Sequence, residues 1–160
     1  MWFFMNLCYI LSLLSFATIL IAFSQSFLGF PVFKAGEITF IIFTSILYFL
    51  TETLVIFFFV GTGVSVKEYT LEKKKDPAYH HKSIAIKRKV YPPLLLNILL
   101  MIVLFSLAGA VDTEKFPRWG YQTLFAFCIC HYIYAKIIQH QSFRKNTENI
   151  LAMVGMKLPA

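Results

Sequence analysis

Charge is scarce in this chain, and acid is scarcest. Asp and Glu number 8 in 160 residues against 15 Lys and Arg, and charged residues make up 14% of the whole. Soluble domains carry about 25% charge, so the usual solvated surface is missing. Cysteine is also sparse, with only Cys8, Cys128 and Cys130. Cys128 and Cys130 are two apart, so on a helix they point to nearly opposite sides. A disulfide framework and a CxxC redox motif are both excluded. The chain lacks the cysteine pairs that a disulfide-handling enzyme needs, and the clustered Arg, Asn and Glu of a glutathione site. Internal repeats and low-complexity linkers are absent too.

What is present is apolar. Hydrophobic residues make up 58%, Phe alone occurs 18 times, and the mean hydropathy is +0.68. The apolar residues gather into four runs, about 2–26, 38–64, 91–111 and 119–141. Each reaches the roughly 20 residues that a helix needs to cross a bilayer core, and lipid leaves helix as the expected form because it cannot satisfy backbone groups. The expected class is an all-α integral membrane protein, a single domain over 1–160 with four transmembrane helices in an antiparallel bundle. A basic loop over 67–90 and a tail over 142–160 complete it. "LGFPVFKAGE", "DPAYHH" and "VDTEKFPRWG" supply the breaks, and "YPP" at Tyr91 to Pro93 suits a helix start. "SVKEYTLEKKK" reads as a continuation of the second helix and "KSIAIKRKV" as a lead into the third. "AFSQ", Ala22 to Gln25, resembles a signal-peptidase site, but no Lys or Arg precedes it and the apolar run is too long. A retained first helix is expected.

Basic residues set the direction. Lys67, Lys73, Lys74, Lys75, Lys82, Lys87, Arg88 and Lys89 lie between the second and third runs, and Lys136, Arg144, Lys145 and Lys157 towards the C-terminus. The other connections hold Lys34, Lys115 and Arg118. The bias places the basic loop and both termini on the cytoplasmic side. It also accounts for the net charge of +7 without nucleic acid, which is not an expected partner. The lipid bilayer is the expected one, together with a homo-oligomer or other membrane subunits. Lys67, Lys87, Lys89, Arg144 and Lys145 are candidates to hold an anionic headgroup or ligand at the inner face.

The sharpest single feature is Glu52, in "LYFLTETLVIFFF". No other charge occurs from Ile38 to Val66. An isolated acid at the bilayer centre costs about 2.5–3.5 kcal/mol on insertion scales, so a partner is required. At about 100° per residue, Tyr48 and Glu52 share a face of the second run, Ser12 and Ser15 one of the first, and Cys128 and His131 one of the fourth, with Tyr134 at its margin. Asn97 faces inward on the third. Antiparallel packing brings these groups to one depth. The expected cluster joins Glu52 and His131 with Tyr48, Asn97 and Ser12 or Ser15. Lys136 is expected to point away and snorkel to the interface.

Intramembrane ionisable groups point to function, and several functions fit. The leading expectation is a bundle binding an apolar redox or lipid-like ligand, of quinone or haem type, with proton handling by Glu52 and His131. Haem is weakened by the lack of a second midplane histidine, since His140 lies about 13 Å further along the helix. Cys128, His131 and Glu52 have the donor types of a metal site, though no short-range motif supports it. "GTG" at Gly61 to Gly63 reads as close helix packing rather than a phosphate loop. His80 and His81 read as an exposed pair. The alternatives are a structural or accessory subunit of a larger complex, and a proton-coupled transporter or channel built as an oligomer.

Overall fold

The computed structural model describes residues 2–156, and most of those residues are helical. Four helices follow in order: α1 Trp2–Leu28, α2 Glu37–Glu72, α3 Ala78–Asp112 and α4 Arg118–Val154. Three of them, α1, α2 and α3, are long and apolar enough to cross a membrane. α4 is the longest at 37 residues, but its apolar run is broken by Gln122, His131, Lys136, Gln139, His140 and Gln141, and it does not reach that standard.

The helices outrun the expected spans. α2 has 36 residues and α3 has 35, about 54 and 52 Å at 1.5 Å per residue, where a bilayer core needs about 30 Å. The basic stretch expected as a loop over 67–90 is therefore mostly helix, and only 73–77 connects α2 to α3. Likewise much of the expected tail over 142–160 is the last part of α4. "YPP" is not a helix start: α3 begins at Ala78 and runs through Pro92 and Pro93. Prolines at these positions cost the carbonyls of Arg88 and Lys89 their intrahelical donors. Both residues are exposed, where a free carbonyl can be hydrated.

The turn after α1 is a tight reversal. Val32 and Ala35 exchange backbone hydrogen bonds of 3.1 and 2.8 Å, with Phe33 and Lys34 between them at φ 51° and 65°.

α1 packs on α2, α2 on α3, and α3 on α4, while α4 meets α1 over a smaller area. At one end Asn149 of α4 donates to the Tyr79 carbonyl of α3 at 3.0 Å, and the Thr147 hydroxyl lies 3.7 Å from the Met5 sulfur of α1. At the other, Arg118 of α4 pairs with Glu37 of α2, and Gln122 donates to the Ser26 carbonyl at 2.9 Å. The core divides into two apolar clusters. One contains Ile19, Tyr48, Met101, Phe125 and Tyr132. The other contains Cys8, Val55, Phe59, Leu94 and Phe143. On every helix a polar residue falls between them in sequence: Ser12, Glu52, Asn97 and Lys136. The outward faces are apolar, with Phe3, Ile10, Leu13, Ile46 and Leu99 among the exposed side chains. A surface of that kind belongs against lipid or protein.

Candidate functional site

The polar level is organised around two groups on opposite sides of α4. Lys136 follows His131 by five residues, about 140° round the helix. His131 turns to α3, and Lys136 turns to α1 and α2.

On the α3 side, the chain of contacts is Tyr48–Asn97–His131. The Asn97 amide donates to the Tyr48 hydroxyl at 2.8 Å, and its carbonyl oxygen lies 3.2 Å from His131 Nδ1. An amide oxygen only accepts, so this arrangement places the ring proton on Nδ1 and leaves Nε2 with its lone pair. Asn97 thus ties three helices together.

On the other side, Lys136 meets Glu52. Nζ lies 2.6 Å from Oε1, with the two side chains 18% and 3% exposed. Oε1 accepts no well-aligned hydrogen bond, so the contact is chiefly one of charge. Lys136 also donates to the Ser12 hydroxyl at 3.2 Å and to Gln139 Oε1 at 2.8 Å. Its ammonium sits 5.0 Å from the centre of the Tyr132 ring, within cation–π range. Tyr132 in turn donates to the Ser12 carbonyl at 3.1 Å.

The expected behaviour of Lys136 is therefore corrected: it is the counter-ion of Glu52 and does not snorkel. The cause is directional. Cα–Cβ bonds lean towards a helix N-terminus, so Lys136 reaches back along α4 to the level of Glu52. A buried acid of 3% exposure rewards that reach more than the interface does. Glu52 and His131 form no ion pair among the described residues.

The remaining candidates separate. Ser15 is buried with its hydroxyl unpartnered. Tyr134 is exposed, its ring 6.0 Å from that of His131. The Cys128 thiol donates to the Leu100 carbonyl at 3.8 Å. Among the described residues no group of three His, Cys, Asp or Glu side chains could hold a metal, so Cys128, His131 and Glu52 do not assemble one. His140 is engaged by the Tyr9 hydroxyl at 2.9 Å.

Lys67, Lys89 and Lys145 are exposed, and Arg144 pairs with Glu148 at 2.9 Å. Lys87 differs. It is half-buried against α2, where its Nζ would lie 2.0 Å from a Cβ built on Gly63. Burial there holds its amine below the ordinary lysine range.

The shallow contact between α1 and α4 leaves a groove of about 640 Å³, lined by Tyr9, Ser12, Phe16, Tyr132, Lys136 and Gln139 among others. Phe16 and Tyr132 stack along it, with ring centres 5.7 Å apart and planes 2° from parallel. Exposed Leu13 and Ile137 lie at its rim. Helical spacing could have revealed this wall: Tyr9, Ser12 and Phe16 recur at i, i+3 and i+7. No protein-family model matches the chain, and neither a curated protein nor a solved structure matches it.

Proposed function

We propose that this chain is a four-span membrane protein that binds a lipid-like molecule drawn sideways from the bilayer. In this reading the helices run antiparallel, α4 is the fourth span, and both termini and residues 73–77 face the cytoplasm. The bias of Lys and Arg supports that direction. One observation carries the binding function. The groove between α1 and α4 has aromatic walls and is lined by Lys136, whose ammonium pairs with the buried Glu52 behind it. Its size lies within the range of about 300–1,000 Å³ typical of ligand sites, and its few polar groups converge in an apolar setting. Proton handling, if the ligand requires it, falls to Glu52 and Lys136.

The test is direct. Protein purified in a mild nonionic detergent is extracted with organic solvent, and the extract is analysed by mass spectrometry against Leu13→Trp, which fills the groove from its exposed rim. A defined molecule near one per chain, lost in Leu13→Trp, is the expected result. The same bulk lipids in both preparations would reject the reading.

A second reading has its own support. Glu52 and Lys136 neutralise each other within the chain, as a polar lock between helices would. A structural or accessory subunit needs no more than this, and co-purification of a defined partner with an empty groove would favour it.

A further inference from the structure

We infer that the α1–α4 groove selects an uncharged lipid whose head accepts hydrogen bonds, and we commit to an alkylated quinone in its oxidised form. The inference rests on the groove being a ligand site, as proposed above. It starts from what the polar end of the groove has left to offer. Lys136 has used the Ser12 oxygen and the Gln139 carbonyl oxygen as acceptors. The groups that remain on those side chains are the Ser12 hydroxyl proton and the Gln139 amide protons, and neither reaches an acceptor among the described residues. Tyr132 spends its own proton on the Ser12 carbonyl. A ligand head arriving between α1 and α4 therefore meets donors in search of an acceptor.

Charge narrows the class. Glu52 and Lys136 already cancel, so a charged head would leave a net charge in an apolar setting, which is costly. Depth narrows it again. Glu52 is fifteen residues from the start of α2 at Glu37 and twelve from the end of the apolar run at Val64, roughly 22 and 18 Å along the helix. A phospholipid headgroup anchored at the bilayer surface does not reach that level. A lipid whose polar atoms are carbonyls can enter whole, and the flat walls formed by Phe16 and Tyr132 suit a ring. A quinone meets all of these conditions. Its reduced form presents hydroxyl donors to the Ser12 and Gln139 protons and loses the match there.

The experiment uses the full chain in nonionic detergent and three probes with the same decyl tail: a benzoquinone, its quinol held reduced, and decylbenzene. Binding is measured by titration calorimetry. The quinone should bind about tenfold or more tighter than either of the others, the factor expected for one mismatched buried hydrogen bond. Ser12→Ala should pull the quinone-to-quinol ratio towards one and leave decylbenzene unchanged. A quinol that binds as tightly as the quinone would overturn the inference, as would an unchanged ratio in Ser12→Ala. Equal binding of decylbenzene would reject the carbonyl head while leaving the groove as a ligand site. If no probe binds but an endogenous lipid is still lost in Leu13→Trp, the quinone is rejected and the site stands. If no probe binds and nothing is lost in Leu13→Trp, both fall.

Discussion

Lys136 of α4 and Glu52 of α2 face each other at 2.6 Å inside the helical core, with the acid almost wholly excluded from solvent. Each neutralises a charge that the interior would otherwise expel. Glu52→Gln leaves the ammonium buried without its counter-ion. The expected loss is about 3–5 kcal/mol, as when one partner of a buried pair is removed. Glu52→Gln combined with Lys136→Met should recover most of it. Denaturant unfolding in mixed micelles gives both values, and a double variant no better than the single would show that the pair is not the source.

Asn97 is the joint between α2, α3 and α4. Asn97→Leu removes both its bonds, to Tyr48 and to His131. Interhelical hydrogen bonds in membrane proteins average about 0.6 kcal/mol and reach about 1.7, so a loss of roughly 1–3 kcal/mol is expected. Leu99→Ala, on the exposed face of the same helix, should stay within about 0.5 kcal/mol. Equal losses in the two variants would remove Asn97 from its place as a joint.

Gly63→Ala tests the packing of Lys87. The new methyl collides with the flexible end of Lys87, which can swing out, and meets the Ser83 hydroxyl at an ordinary contact distance of 3.4 Å. The change should be neutral or stabilising, since alanine gains about 1 kcal/mol over glycine in a helix. The chemistry of Lys87 should change with it. Burial lowers its pKa because desolvation disfavours the ammonium. The unfolded chain then binds more protons between the folded and ordinary lysine values, and stability rises with pH through that window. Acylation followed by mass spectrometry against pH should find the Lys87 midpoint below the ordinary lysine range, and raised towards that range in Gly63→Ala.

Sidedness is open to labelling. In a Cys130→Ser background, Phe33→Cys should react with an impermeant maleimide on intact cells, since Phe33 is exposed at the turn after α1. Asp76→Cys, between α2 and α3, should react only after permeabilisation. Cys8 and Cys128 are buried and contribute little background. The reverse pattern would invert the proposed orientation.

The helical class and the level of the polar groups were legible because each rests on a local rule. Long apolar runs demand helix, and Glu52 among 28 uncharged neighbours from Ile38 to Val66 demands a partner. The partner itself was not legible. Angle and depth of Cα favoured His131, whereas a lysine side chain is long enough to change level, and only packing decides which way it goes. Helix length was under-read for a related reason. Polar and basic residues at Lys67–Glu72, Ala78–Val90 and Ser142–Val154 mark departure from lipid, which is not the same as departure from helix. Buried Val66, Thr70, Ser83, Ile86, Phe143 and Met153 hold those turns together beyond the apolar runs. One wall of the groove follows from helical spacing on α1, but the groove itself depends on how little α1 and α4 touch, a quantity with no trace in either helix alone.

α4 also carries an implication for biogenesis. It falls short of the hydropathy that lets α1, α2 and α3 cross a membrane on composition alone. Its two most demanding groups, His131 and Lys136, lean on Asn97 of α3, Ser12 of α1 and Glu52 of α2, besides the Gln139 that Lys136 meets on α4 itself. Under the proposed topology, α4 is retained in the bilayer by its neighbours more than by lipid. A chain halted before those neighbours are in place would leave α4 free to slip back, and a defect at Glu52 or Asn97 would then surface as failed insertion and turnover in the cell before any ligand is met.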